Sequence, residues 1–585
     1  MAGPQVDQAE LHQVLAAMDG KGRTMLLPAL LAAQRQAGYI SETAAREIGI
    51  TLGVPLAEIF GVIEFYDLLS SQPTAEKVVR YCTSAMCAVA GSRRELQAAA
   101  QRLGVTPGVP GPDGKYLVTE IPCLGLCDHA PNVLISHNMA AGQLGGDYLV
   151  GPAYAAQIDE WLPVVHASPG YFLSGEPRWL TGRIGQVDPT SLDDFVASGG
   201  FEGLRSALKL DPAEVIDTVK RSGLVGRGGA AFPTGIKLQG TADADGQPKY
   251  IVLNADESEI GTFKDRVLVE FDPYTMIEGM LISAYAVGAE LGIIYVRGEY
   301  QHAQEVLNTA IQKAEAAGYL GENILGSGLT FQIELRSGAG AYICGEETAL
   351  FESVEGKRGF PRMKPPFPTT HGVFGKPTVI NNVETIANLP VIFQRGVAAY
   401  RSIGTQKSPG SKLFCLSGDV QQPGLVEVPF GLTLRTLIEE YGQGVTFGSS
   451  LQAVLLGGAA GVFVPPDQLD VPLTFEDTRE QGLALGSGAV MVFDHSRDLR
   501  QILLNIAHFF AHESCGKCYP CQLGTQRQLE ILERLAEGRL IPGDLERLQD
   551  TGWTMTDASL CGLGQTAALA VLSAMKHWPE MFSEA

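Results

Sequence analysis

The 585-residue sequence has no uncharged apolar run approaching the length of a membrane span; the best, Ala453 to Val464, is broken by glycines. Its opening, Met1-Ala-Gly-Pro-Gln5, lacks a basic region followed by an apolar stretch, so no secretion signal is expected. Positive charge is also scarce. With 43 Lys plus Arg against 65 Asp plus Glu, the net charge is -22, which disfavours nucleic acid and anionic membrane as partners. Only 10 cysteines occur, and eight fall into two sets with metal-ligand spacing, leaving Cys344 and Cys415. That distribution argues against a disulfide framework and for an intracellular metalloprotein, expected in the cytoplasm. A chain of this length is too long for one core and predicts roughly three to five units.

The sharpest motif is Glu513-Ser-Cys-Gly-Lys-Cys-Tyr-Pro-Cys521, with thiols at Cys515, Cys518 and Cys521 and a fourth at Cys561. Cysteines repeating every third residue suit a [4Fe-4S] cubane better than zinc, which takes one CxxC pair from each of two knuckles. A zinc site, or a set of buried thiols, is the alternative. His508 and His512 stand four apart but lack the HExxH order, so packing or surface roles are expected for them.

Taken in order, the apolar spacing at Leu11, Val14, Leu15 and Met18, then at Leu27, Leu30 and Leu31, predicts a helical segment over 1–72. Over 73–163 the period changes to an α/β unit, with strands at Val78 to Tyr81, Val133 to Ile135 and Tyr148 to Val150 and a helix at Arg94 to Leu103. Cys82 and Cys87, then Cys123 and Cys127, form a CxxxxC plus CxxxC set able to hold a [2Fe-2S] rhomb from two loops. Four unrelated cysteines, two of them a redox pair, is the competing reading. Residues 164–200 are rich in breakers and read as a linker.

The segment Gly226-Arg-Gly-Gly-Ala-Ala-Phe-Pro-Thr-Gly-Ile-Lys237 matches neither the P-loop nor the GxGxxG fingerprint. Its glycines let backbone N–H groups approach an anion, a helix start adds a favourable dipole, and Lys237 answers a phosphate charge. A glycine-rich turn without ligand is equally compatible with the spacing. Strand patterns at Tyr250 to Leu253 and Ile293 to Val296, with a helix at Ala303 to Ala316, give α/β alternation over 201–405. Asn254-Ala-Asp256-Glu257 ends the first of these strands, where doubly wound sheets bind ligands. Ser337-Gly-Ala-Gly-Ala-Tyr-Ile-Cys-Gly345-Glu346-Glu347, Lys364-Pro-Pro-Phe367 and Asn381-Asn382 follow. Short strands over 406–495 and a returning helical period over 496–585 complete the chain, with Cys415 and Cys344 read as structural thiols.

These motifs resemble two subunits of respiratory complex I. Residues up to about 163, with the four cysteines, Leu26-Leu-Pro-Ala-Leu30 and Phe60-Gly-Val-Ile-Glu-Phe-Tyr66, are similar to the 24 kDa thioredoxin-like ferredoxin subunit. Residues from about 200 to 585 resemble the 51 kDa NADH-binding flavoprotein subunit. The implied fold is multidomain α/β plus α: a helical segment, a thioredoxin-like [2Fe-2S] domain, a Rossmann-like FMN/NAD domain, a β-grasp (ubiquitin-like) domain and a C-terminal helical bundle. The resemblance implies FMN contacts from Gly226, Gly228, Lys237, Asn254, Asp256, Gly345, Asn381 and Asn382. Glu257, Glu346 and Glu347 would face the FMN and NADH pocket, and Phe232 and Phe367 would stack on the dinucleotide. Carboxylates there accept ribose hydroxyls and repel a 2′-phosphate, so NAD is expected over NADP. The run after Lys237, Leu238-Gln239-Gly240, departs from relatives that often carry a further aromatic there.

Fusion of both parts in one chain is similar to the flavoprotein (diaphorase) component of soluble NAD-reducing [NiFe] hydrogenases. The implied partners are NAD(H), a small iron-sulfur diaphorase subunit and the [NiFe] hydrogenase subunits. The equivalent component of an NAD-dependent formate dehydrogenase, or a fused complex I subunit, is the alternative, and a zinc-stabilised scaffold without electron transfer is the reading from another class. No catalytic side chain is named, because a flavin performs hydride transfer itself.

Overall fold

The computed structural model describes residues 8–138, 146–163 and 170–582. Met1–Gln5 and the Ser168–Pro169 part of the breaker-rich stretch lie outside the described residues. The leading helices Gln8–Ala16, Leu26–Ala37, Glu42–Leu52 and Leu56–Ile63 bury Leu11, Leu15, Leu27, Leu30, Ile48 and Ile59 in one core. Ser41 accepts the Ala44 N–H and starts the third of them.

The next unit is a four-stranded sheet in the order Tyr116–Ile121, Lys77–Cys82, Val133–His137, Gly146–Val150. Its first pair is parallel and the others antiparallel. The helix Ser92–Leu103 covers one face through Leu96, Ala99 and Ala100. The strand Lys77–Cys82 ends on Cys82, so the first two thiols emerge at its carboxyl end.

A five-stranded sheet follows, in the order Thr378–Asn382, Tyr250–Ala255, Leu291–Val296, Leu329–Ser337, Gly321–Ile324, parallel except for the last. The register pairs Asn381 with Leu253 and Asn382 with Asn254, so both asparagine-bearing strand ends open on the same edge. The helix Pro273–Val287 is buried along almost its whole length, which explains its lack of an amphipathic pattern.

The third sheet runs Val462–Val464, Leu451–Leu456, Ala489–Asp494, Ser411–Gly418, Gly424–Pro429, Leu173–Ser174. Along Ser411–Gly418, Leu413 and Cys415 join the main core while Phe414 and Leu416 join a separate one, the period-two alternation of a strand buried on both faces. A helix begins as Leu434–Thr436 and continues as a π-helical turn, Leu437–Tyr441. Helices Leu499–Glu513, Tyr519–Ala536, Asp544–Ala558 and Leu569–His577 form the last unit.

The breaker-rich stretch differs from a free connection. Leu173–Ser174 adds a strand beside Leu425 and Val426, and Leu192–Ala197 is a helix capped by Ser191. Fully buried Glu427 accepts N–H groups from Trp179, Leu180 and Thr181 and hydroxyls from Thr181 and Ser411. A side chain on Gly175 would lie 1.9 Å from the Glu427 carbonyl oxygen. Backbone pairing to a distant carboxylate leaves no hydrophobic period, so the sequence pattern is silent there. Glu427→Ala leaves three buried N–H groups unpaired at about 1–3 kcal/mol each; thermal unfolding should report a loss of at least ~3 kcal/mol.

Candidate functional site

The glycine-rich segment forms a turn at Gly226 to Gly229, closed by the Gly226 N–H to the Phe232 carbonyl at 2.9 Å, and leads into the helix Thr234–Ala242. That helix has no side-chain N-cap; the Thr234 N–H donates to the Leu224 carbonyl at 2.9 Å, and the helix directs the positive end of its dipole toward the glycine turn. Arg227 is turned under the loop, donating to the Tyr400 hydroxyl and the Pro409 carbonyl. A side chain on Gly228 would stand 3.0 Å from the Asn382 Cβ.

At the facing strand ends, the Asn254 amide donates to the Gly345 carbonyl at 2.9 Å, while its oxygen accepts the Asp256 N–H. A side chain on Gly345 would lie 3.2 Å from Asp256 Oδ2. Asp256 Oδ2 and Asn381 Nδ2 are buried without a protein partner, an acceptor beside Gly345 and a donor near the carboxyl end of the adjoining strand. Burial pushes the Asp256 carboxyl up to about 7. Such orphaned groups fit a heteroaromatic ring that both donates and accepts, as the flavin of FMN does.

Asn382 is occupied: its oxygen accepts the Glu384 N–H and meets Lys264 Nζ at 3.1 Å, and its amide donates to Asp265 at 2.5 Å. It caps the helix Val383–Arg395 and anchors a buried ionic network in which Lys264 pairs with Asp265 and Glu384, and Lys412 with Glu384. Sequence spacing alone does not point to this network; its one signal is the charged triplet Lys264-Asp-Arg266 running straight into Val267-Leu-Val.

The three glutamates separate. Glu257 has a left-handed backbone, φ 37°, and its two oxygens accept the Asp265 and Arg266 N–H groups at 2.7 Å, turning the carboxylate toward the protein. One Glu346 oxygen caps the helix Glu347–Val354 through Thr348 and Ala349; the other meets Lys364. Glu347 reaches Lys364 at 2.6 Å and lies 3.8 Å from Lys237. Burial lowers the Lys237 pKa while Glu347 opposes it. Phe232 and Phe367 are about half exposed, at 48% and 57%.

Cys82, Cys87, Cys123 and Cys127 converge, with Cys123 and Cys127 Sγ atoms 3.6 Å apart and all four thiols buried. Contacts with Cys82 link it to Cys123 and Cys87, and the Gly125 N–H points at Cys123. Four convergent thiols with N–H donors are the donor set of a [2Fe-2S] cluster. Cys515, Cys518, Cys521 and Cys561 line a cavity with Ile343, Pro361, Lys517 and Leu563. The Leu563 and Gly564 N–H groups turn toward Cys561, and a side chain on Gly564 would fall 2.8 Å from the Cys521 Cβ. Burial pushes the Cys521 thiol up to about 12, so thiolates there require cationic partners such as iron.

His512 and Asp67 join the last bundle to the leading helices at 2.9 Å, with Glu513 beside them accepting the Tyr342 N–H. Cys344 is buried 3.9 Å from the Tyr66 hydroxyl, and Cys415 accepts the Phe263 N–H. Among the described residues no helix is long and apolar enough to cross a membrane.

A parallel sheet with a glycine-lined cleft, beside two sets of four thiols, defines an iron-sulfur flavoprotein oxidoreductase. Family profiles agree: the Nuo51 FMN-binding domain matches residues 219–391, the thioredoxin-like [2Fe-2S] ferredoxin 11–144, and the NADH-ubiquinone oxidoreductase-F iron-sulfur binding region 501–585. The F 2 subunit of NADH-quinone oxidoreductase from Rhizobium meliloti (strain 1021) is 47% identical over 404 residues, 69% of this chain and 96% of the relative. The HndC subunit of the NADP-reducing hydrogenase from Solidesulfovibrio fructosivorans is 46% identical over 398 residues, 68% of this chain and 81% of HndC. A crystal structure of NAD+-reducing [NiFe]-hydrogenase in the H2-reduced state superposes with TM-score 0.82 at 33% identity, covering 96% of this chain and 93% of that one. The chain belongs to the family of NADH-quinone oxidoreductase F subunits, extended at its amino-terminal side by the thioredoxin-like ferredoxin domain. Its cofactors are FMN, a [2Fe-2S] cluster and a [4Fe-4S] cluster, with NAD as substrate.

The Asp67 contact raises His512 to about 9 against the opposing effect of burial. A raised histidine stabilises fully below its unfolded pKa, near 6.5, and the contribution disappears as pH climbs through about 9. His512→Gln should therefore melt earlier than the parent at pH ~6, with the two curves converging above about pH 10.

Proposed function

We propose that this chain exchanges hydride with NAD(H) at one pocket and passes single electrons between that pocket and a partner hydrogenase, as the NAD-linked half of a hetero-oligomeric enzyme. The observation that carries it is the coexistence, over nearly the whole length of one chain, of the flavin cleft and both cysteine sets in the arrangement shared with the NAD+-reducing [NiFe]-hydrogenase chain. When bound, FMN accepts a hydride as two electrons and gives them up one at a time.

Gly226, Gly228 and Gly345 keep the cleft walls close enough for backbone contacts to the flavin. Lys237 and the dipole of the helix Thr234–Ala242 answer its phosphate, Asp256 and Asn381 meet its ring edge, and Asn254 and Asn382 brace the two strand ends. Glu346 and Glu347, held by Lys364, present the rim that receives ribose hydroxyls, and Phe232 and Phe367 supply stacking surfaces. With Glu257 engaged by the chain itself, preference for NAD over a 2′-phosphorylated dinucleotide rests on Glu346 and Glu347. Cys82, Cys87, Cys123 and Cys127 hold the [2Fe-2S] cluster; Cys515, Cys518, Cys521 and Cys561 hold the [4Fe-4S] cluster. Tyr519 and Leu523, 77% and 64% exposed beside the latter set, mark the face where the small iron-sulfur partner docks and electrons leave. We read 406–495 as a β-grasp-like unit and 496–585 as the cluster-bearing bundle. Free thiols in metal-ligand sets support a cytoplasmic setting.

Purified chain should oxidise NADH with artificial dyes in the absence of partners. Cys515→Ser should leave flavin bleaching by NADH intact while abolishing hydrogenase-coupled turnover; undiminished coupled turnover would contradict the assignment. A colourless, zinc-loaded protein would remove the whole reading. Gly345→Ala crowds the Asp256 side of the cleft, and an overpacking cost of about 1–3 kcal/mol corresponds to a roughly 5- to 140-fold loss of FMN affinity by fluorescence titration.

A further inference from the structure

The loop that follows the strand Tyr250–Ala255 faces two ways. Asp256 sits at the flavin cleft, yet a few residues later the Gly261 N–H is directed at the Cys127 thiol. Between them, Arg297 reaches both sides. Its Nη1 donates to the Glu257 carbonyl at 2.9 Å, and its Nη2 donates to the Cys123 carbonyl at 2.7 Å. Glu299 holds the guanidinium at 3.1 and 2.7 Å, and Tyr300 lies under it at 5.0 Å. The same Tyr300 donates to Glu257, and its hydroxyl occupies the space that a side chain on Gly125 would need, 1.9 Å from the Cβ position. Arg297 and Glu299 are almost wholly buried.

We propose that Arg297 is a positioning residue that clamps the Cys123 loop to the flavin-side loop and makes the [2Fe-2S] cluster easier to reduce. The guanidinium remains protonated in proteins, so its charge is permanent. A positive charge hydrogen-bonded to a ligand cysteine's own carbonyl favours the cluster state with one more electron, and burial weakens screening of that attraction. Glu299 opposes it, but the guanidinium is the member of the pair that touches the cysteine loop. The two substitutions therefore act in opposite directions. This inference rests on the assignment of Cys82, Cys87, Cys123 and Cys127 to that cluster.

The test is an EPR-monitored redox titration of the [2Fe-2S] signal in the FMN-loaded, cluster-loaded chain. Arg297→Gln should lower the reduced-to-oxidised ratio at a fixed potential about tenfold, a 59 mV fall for a one-electron couple. Glu299→Gln, nearly isosteric and leaving Arg297 its two carbonyl acceptors, should move the midpoint upward. Arg297→Lys, which keeps the charge, should remain closer to the parent than Arg297→Gln. A purely structural role predicts shifts of the same sign in both neutralising variants, or none, and either result would overturn the proposal. If Arg297→Gln fails to assemble, an unchanged or lowered midpoint in Glu299→Gln overturns it alone. Loss of the [2Fe-2S] assignment looks different: the parent chain itself would give no such signal.

Discussion

The structure turns on the backbone of Glu257. A non-glycine residue in the left-handed region costs about 1–2 kcal/mol relative to its usual conformations. Here the turn is held by two N–H donors from the helix Lys264–Phe271, by the Tyr300 hydroxyl and by Arg297 on the Glu257 carbonyl. Because the chain reverses there, Asp256 faces the cleft and Gly261 faces the Cys127 thiol. One short loop thus sets the separation between the flavin cleft and the first thiol set; its conformation is held by groups of the flavin unit, one of which, Arg297, also reaches the Cys123 carbonyl.

Buried charge organises the opposite wall. Lys264, Asp265, Glu384 and Lys412 form a closed ionic cluster beneath Asn382, in a region where an unpaired charge would be strongly unfavourable. Burial pulls Lys412 down to about 8, and Glu384 is the counter-charge that keeps it protonated. The cluster fixes the strand end carrying Asn382, and Asp256 Oδ2 and Asn381 Nδ2 are among the buried polar atoms without protein partners. Rigid walls with a small number of unpaired donors and acceptors are what a preorganised cofactor cleft requires.

The two thiol sets differ in surroundings in a way that suits different tasks. Cys82, Cys87, Cys123 and Cys127 are enclosed between the ferredoxin unit and the flavin unit. Cys515, Cys518 and Cys561 are partly exposed and bordered by outward-facing Tyr519 and Leu523. The outer set is thus reachable by another chain, while the inner set faces the flavin unit.

Much is visible in the sequence because cluster ligands and glycine turns depend on local spacing. The triplet Cys515, Cys518, Cys521, the pairs Cys82/Cys87 and Cys123/Cys127, and the alternation of strands and helix from Tyr250 to Ala316 follow from residue order alone. Local spacing does not reveal which carboxylates remain free. Glu257, Glu346 and Glu347 read alike in sequence, yet one is turned inward onto N–H groups, one caps a helix and one pairs with lysines at the rim. Nor does it reveal Glu427 binding the stretch at Trp179 to Thr181, or Arg297 joining Cys123 to Glu257, since the Arg297–Cys123 and Trp179–Glu427 contacts link residues 174 and 248 positions apart. The chemistry was written in residue types and short intervals; which groups serve the structure and which are left for the cofactor was decided by tertiary packing, because hydrogen-bond partners are assigned only when distant segments meet.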